Sequence, residues 1–178
     1  MKKSFNEIIK PVLVLVCICL VVTALLAYIN SVTSPIIAKA EQEKTEQAMS
    51  EVLFEADGFK KLEIENLPDR VTEVYSATNG VGYVFMLTTK GYGGDMKLIC
   101  GMDADGVIEH CKTLSHSETS GLGSKTAEDA YASQYGGKTD VLLDKVDAIT
   151  GATISSTAYK NAIVDAFKAY DMIKEAGK

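Results

Sequence analysis

Metal-binding and nucleic-acid-binding signals are what this chain has least of. Its 178 residues include two histidines, His110 and His116, and four cysteines, none in a C-x-x-C pair or at zinc-site spacing. That argues against a structural or catalytic metal, which needs clustered thiolates and imidazoles. Eighteen Lys and Arg face 24 Asp and Glu, a formal charge of −6. Such a chain lacks the basic excess that neutralises a phosphate backbone, so nucleic acid is not an expected partner. No internal repeat or low-complexity segment is present.

The charge is unevenly spread. Lys2, Lys3 and Lys10 against Glu7 leave residues 1–10 at +2 and the remainder at about −8. Next comes an uncharged stretch, Val12 to Ile29, 18 residues long. That length suits a helix crossing a bilayer. Basic residues before an apolar run also mark a cleaved leader, but no clear small-residue cleavage site follows, and a retained anchor is the expectation. The positive flank then stays in the cytoplasm and the chain after Asn30 lies outside. Cys17 and Cys19 fall inside the run as packing residues. Cys19, Thr23 and Ala27 share one face, small enough for close approach of a neighbouring helix. The expected division is a cytoplasmic tail over 1–10, a transmembrane helix over 11–29, a stalk or linker helix over 30–57 and a soluble domain over 58–178. Ser34 as N-cap and Pro35 as first helical residue would open the stalk.

From Leu62 the period changes. Two β-rich runs flank Asn79-Gly80, and two more flank Asp105-Gly106. Both dipeptides are strong hairpin signals. Four strands in sequence predict an antiparallel sheet. A short helix is expected over Ser124–Tyr135, a brief strand over Val141–Leu143 and a final helix over about Ser155–Glu175. On that helix Tyr159, Ala162, Ile163, Ala166, Phe167, Tyr170 and Ile173 recur at helical spacing and form a buried face. The soluble part is therefore α+β. If Asp105 and Gly106 are the central residues of a type I′ turn, paired positions sum to 211 and Cys100 stands opposite Cys111. That geometry suits a disulfide, and equally two reduced core thiols.

Three polar segments carry candidate chemistry. "DAITGATISST" places Thr150, Gly151, Ala152, Thr153, Ser155 and Ser156 at the mouth of the last helix. Free backbone N–H groups and the helix dipole favour an anion such as phosphate there. Ser155 or Ser156 acting as a plain cap accounts for the same residues. "SHSETSGLGSK" brings His116, Glu118, Thr119, Gly121, Leu122 and Gly123 between a strand and a helix. "TKGYGGDMK" sets Tyr92 among Gly91, Gly93 and Gly94, where a tight turn is the simpler account.

In this order, "GYGG", "HSETSGLG" and "DAITGAT" resemble the FMN-binding domain of the RnfG component of Rnf complexes. The related flavin-carrying component of the sodium-pumping NADH:quinone reductase is similar. The specific part is the signature D-x-x-S/T-G-A-T, matched here by Asp147, Thr150, Gly151, Ala152 and Thr153. Ser120 stands where that family commonly has proline. The length is closer to RnfG. The resemblance implies an N-terminal transmembrane helix followed by an extracytoplasmic FMN-binding domain. It also implies FMN joined through its phosphate to the Thr153 hydroxyl by a phosphoester. A flavin transferase using FAD and Mg²⁺ makes the bond, and Asp147 belongs to the sequence it recognises. The ring would lie toward Tyr92, Gly93 and the His116–Gly123 segment. The chain would then be an electron-relay subunit, working with other membrane subunits of an ion-translocating redox complex. No general acid or base is expected, because the flavin carries the chemistry. Two other readings stand beside this one: a stand-alone anchored flavin reductase module, and a cofactor-free anchored binding or assembly protein.

Overall fold

The computed structural model describes residues 2–176, the side chains of residues 2–8 and Ala38 excepted. Met1, at the start of the expected cytoplasmic tail, and Gly177 and Lys178, at the end of the expected flavin domain, lie outside the described residues. The chain divides into two compact units, residues 1–45 and 46–178.

The first unit is helical throughout its described residues. Helix α1 spans Lys2–Val52 without interruption, with Pro11 and Pro35 inside it. It is long and apolar enough to cross a membrane. This corrects the expected start of a separate stalk helix: Ser34 caps nothing and Pro35 continues a helix already formed. A proline removes one backbone donor and ordinarily costs a helix interior about 3 kcal/mol. Hydroxyls one turn before it bond back to the helix. Ser31 Oγ donates to the Tyr28 carbonyl at 2.7 Å and Thr33 Oγ1 to that of Ile29 at 3.0 Å.

The second unit is built on a five-stranded antiparallel meander, β1 (Phe59–Leu62), β2 (Val71–Ala77), β3 (Gly82–Lys90), β4 (Asp95–Asp103) and β5 (Ile108–His116), paired in sequence order. The last four are the strands the sequence predicts. The first, F-K-K-L, escapes it because four residues with two lysines carry no alternation. Side chains alternate across the strands, and each face of the sheet has its own core. Phe85, Leu87, Leu98, Cys100 and Met102 face the last helix, α3 (Thr153–Ala176), and the short α2 (Asp129–Ala132). Val84 and Ile99 face the other way, against Ala48, Met49, Val52 and Leu53 at the end of α1 and just beyond. Residues 46–57, expected as stalk, therefore belong to the sheet-bearing unit. A Cβ on Gly101 would lie 2.1 Å from the Val52 carbonyl oxygen, so only glycine lets the helix end sit this close.

Both hairpins form, but the type I′ turn considered for the second does not. Gly80 and Gly106 have positive φ while Asn79 and Asp105 do not, so neither turn is type I′. In the second hairpin Gly106 N–H bonds the Asp103 carbonyl, and the Asp103 carboxylate takes the N–H groups of Asp105 and Val107, both at 2.9 Å. This turn starts the pairing at Met102↔Ile108. A bulge between Gly101 and Met102 then shifts it by one, restoring Cys100↔Cys111. The cysteine pairing is thus as expected through two offsetting departures. The two residues are buried free thiols, with Cys111 Sγ donating to Cys100 Sγ at 3.3 Å. Burial, and then the facing Cys100 sulfur, push the Cys111 thiol well above its usual range.

Two further expectations change. The helix over 124–135 is broken into a 3₁₀ turn, Gly123–Ala127, then α2 and another 3₁₀ turn, Ser133–Tyr135. Residues 141–143 are not a strand but part of a 3₁₀ helix, Asp140–Lys145. There Leu143 points into the core while Val141 is exposed. A three-residue apolar run has no period of its own to decide between the two.

Candidate functional site

Helix α3 begins at Thr153, two residues before the expected start. Its first intrahelical bond runs from Ser156 N–H to the Ala152 carbonyl at 2.9 Å. The N–H groups of Thr153, Ile154 and Ser155 therefore precede the helical ladder and face outward. Gly151, at φ +81°, turns the chain into the helix. Neither serine caps it. Ser156 Oγ instead accepts the Ile149 N–H at 3.0 Å and ties the preceding loop down, and Ser155 Oγ donates to Glu118 at 2.7 Å.

Glu118 joins all three polar segments. It is 8% exposed. Its Oε1 accepts the Gly93 N–H at 3.2 Å and its Oε2 accepts the Ser155 hydroxyl. A Cβ on Gly91 would stand 1.9 Å from Oε1, and one on Gly123 2.0 Å from Oε2. These two glycines are required by the carboxylate between them, not merely by turns. Gly93 is pressed likewise against the Ser117 carbonyl, at 2.2 Å from a notional Cβ.

The cleft that results measures about 690 Å³ and is lined by Tyr92, Glu118, Thr119, Leu122, Gly123, Gly151, Ala152, Thr153, Ile154 and Ser155. Tyr92, Leu122 and Ile154 are exposed, Tyr92 by 73%. Large side chains left in water around one concavity mark a binding surface for something flat and apolar. Thr153 is exposed at the edge of the cleft. It also borders a second, more polar groove of about 590 Å³ running along α3, together with Arg70, Lys90, Thr157 and Asn161.

Not every expected site residue lines the first cleft. His116 is exposed, and its Nδ1 accepts the Glu118 N–H at 3.2 Å, shaping the loop instead. Gly121, at φ +77°, gives its N–H to Ser124 Oγ at 2.9 Å. Asp147 and Thr150 are exposed on the loop before α3, where the Asp147 N–H bonds Gln134 Oε1 at 3.1 Å. Gly93 and Ser156 act through the bonds already described. Ile154 is a lining residue that sequence reasoning passed over. Its signal was a large apolar residue outside the buried stripe of α3. Arg70 and Lys90 reach the groove from strand ends remote in sequence and had no local signal.

A glycine-walled cleft with exposed apolar sides, opening beside a threonine at a helix N-terminus, defines a nucleotide-like cofactor site. It would suit FMN, with apolar walls available to a ring and free N–H groups at the helix end available to a phosphate. Comparison with known proteins agrees. Residues 91–168 match the FMN-binding domain family, and residues 1–52 match the RnfG N-terminal region. The G component of the ion-translocating oxidoreductase complex of Methanosarcina acetivorans is 33% identical over 172 residues, covering 89% of this chain and 92% of that protein. The G component of the Na(+)-translocating ferredoxin:NAD(+) oxidoreductase complex of Acetobacterium woodii is 29% identical, covering 97% and 96%. The proton-translocating counterpart of Clostridium ljungdahlii is 29% identical, covering 83% of each chain. The protein is thus a membrane-associated flavoprotein of the FMN-binding-domain class. Within that class, the chain belongs to the RnfG family, whose members are components of ion-translocating oxidoreductase complexes.

Proposed function

We propose that this chain is the electron-relay subunit of an Rnf-type complex and carries FMN covalently on Thr153. The observation behind the reading is the position of Thr153: exposed, in the first turn of α3, on the edge shared by cleft and groove. Attachment would proceed by attack of Thr153 Oγ on the flavin-side phosphorus of FAD. The pyrophosphate bond breaks, AMP leaves, and the hydroxyl proton passes to a base of the flavin transferase. The product is a phosphodiester. The three free N–H groups at the helix end hold its charge, and Gly151 and Ala152 leave room beside it.

Tyr92, Leu122 and Ile154 would hold the ring, which supplies the one- and two-electron chemistry when bound. Thr119 and the Gly121-Leu122-Gly123 turn form the wall opposite α3. Asp147 and Thr150, exposed on the loop before the attachment residue, are accessible to a transferase. His116, turned into its own loop, positions Glu118 and needs no part in proton transfer. The apolar part of α1 anchors the chain among the other membrane subunits. The Lys2, Lys3 and Lys10 flank keeps its N-terminus cytoplasmic, which puts the FMN domain outside. A covalent bond there prevents loss of a cofactor that the exterior does not replenish.

The test is the intact mass of the denatured protein, made in a host with an active flavin transferase. A gain equal to FMN less one water, absent from Thr153→Ala, is the expected result. An unmodified wild-type mass, with the transferase active on a control substrate, would refute covalent attachment.

A further inference from the structure

We infer that Glu118 disfavours free FMN at this site and so reserves Thr153 for a flavin whose phosphorus carries one charge, as it does in FAD and in the attached diester. The inference rests on the proposed phosphoester at Thr153, whose charge state differs from that of the free cofactor. Free FMN is a phosphate monoester, carrying close to two negative charges above its second ionisation near pH 6. Joined to a threonine hydroxyl, the same phosphorus is a diester with one negative charge.

The neighbourhood of Thr153 is built for the smaller charge. Glu118 already takes a bond from Ser155, in the same first turn of α3, and a second from Gly93. Both oxygens accept, and the group uses part of the positive end of the helix that a phosphate would otherwise have alone. Gly91 and Gly123 let it lie this close to their bare Cα atoms, and its two hydrogen bonds hold it there.

Nearby cations do not restore the balance. In the adjoining groove Arg70 and Lys90 are matched by Asp69 and Asp95. Arg70 is moreover held by buried Asp165, at 2.8 Å. With Glu118 included, three carboxylates stand against two cations around the threonine. A monoanionic diester on the free N–H groups is tolerable there, while a second phosphate charge meets no net positive surroundings.

The experiment compares free FMN with riboflavin, which has the same ring and no phosphate. Binding to chain made without transferase is followed by flavin fluorescence quenching at pH 8. Wild-type protein is expected to bind riboflavin at least as tightly as FMN. Glu118→Gln is expected to tighten FMN relative to riboflavin about tenfold, the effect of removing one partly screened like charge; the loss of one of its two hydrogen bonds acts on both flavins alike. FMN binding more tightly than riboflavin in the wild type, with the ratio unchanged in Glu118→Gln, would overturn the inference. Equal changes for both flavins would also overturn it, leaving Glu118 as a structural tie alone.

Should Glu118→Gln fail to fold, a salt series on wild-type protein decides. Raising salt from about 0.05 to about 0.5 M screens repulsion and should tighten FMN relative to riboflavin. The opposite trend would show net attraction and refute the inference. These affinities concern unattached flavin, so they stand or fall independently of the mass measurement. An unmodified mass would remove the covalent reading without touching them.

Discussion

Thr153 Oγ is the atom on which the functional reading turns. Thr153→Ala should remove flavin that survives denaturation while changing stability by less than about 0.5 kcal/mol, because the side chain is exposed. Thr153→Ser keeps the nucleophile and should retain partial flavinylation, read by the same mass measurement. Gly123→Ala tests the packing around Glu118. Its new methyl group would sit 2.0 Å from Oε2, so the carboxylate or the loop must move, at a cost of about 1–3 kcal/mol. Urea unfolding would report that loss, and the flavinylated fraction should fall with it. Tyr159 behaves oppositely. Its hydroxyl is fully buried and has no hydrogen-bond partner among the described residues. Tyr159→Phe removes an unsatisfied group and should be neutral or stabilise the fold by up to about 1 kcal/mol; a loss larger than that would mean the hydroxyl has a partner.

At the scale of elements, α3 is held to the sheet by more than its apolar stripe. Asp165, 3% exposed, accepts bonds at 2.8 Å from both Arg70 and Lys168. Burial pushes its carboxyl up, but the bonds from Lys168 and Arg70 and their charges outweigh that and hold it below the ordinary carboxylate range. A depressed native value stabilises the fold above the unfolded-state value near 3.9, and the contribution is lost as pH falls through the native value. Asp165→Asn should therefore cost about 1–3 kcal/mol at pH 7, and the gap to wild type should close below about pH 4, measured by denaturant unfolding across pH.

Much at this scale was legible in the sequence, for identifiable reasons. The stripe on α3 repeats over about four turns, and the two hairpins carry a glycine at the only position in each turn that has positive φ. Both are signals contained in neighbouring residues. The turn type was not legible, because Asn-Gly and Asp-Gly serve more than one turn. The Cys100↔Cys111 register came out as expected only because a bulge at Gly101 offset the different turn. β1 and the 3₁₀ helix over Asp140–Lys145 were illegible because each is short and acquires its conformation from what it packs on.

At the scale of the whole molecule, the two units should separate cleanly. A chain starting at Glu46 keeps Ala48, Met49, Val52 and Leu53 on the sheet and should be soluble and folded, with a cooperative thermal transition, while the full chain fractionates with membranes. A chain starting at Gly58 lacks those four side chains. Val52 and Leu53 are completely buried, so their loss alone should cost several kcal/mol and expose the sheet face, seen as aggregation or a lost transition.

The sequence by itself determined the elements whose causes are local. An uncharged run long enough for a bilayer, turn dipeptides between β-rich runs, a helical stripe, and small hydroxyl residues at a helix mouth each declare themselves within a few residues. The helix mouth to which the proposal assigns the phosphate was legible for that reason. Only the tertiary structure decided how the three polar segments meet. Gly91, Glu118 and Ser155 lie on a strand end, a loop and a helix, and their contact depends on sheet order and on how α3 crosses the sheet. Pro35 is a parallel case: its local meaning is a helix start, yet the chain around it was already helical. Short-range signals report what a segment prefers, and long-range packing settles what it does when preferences are weak or when one side chain, such as Glu118, must satisfy partners from two other segments at once.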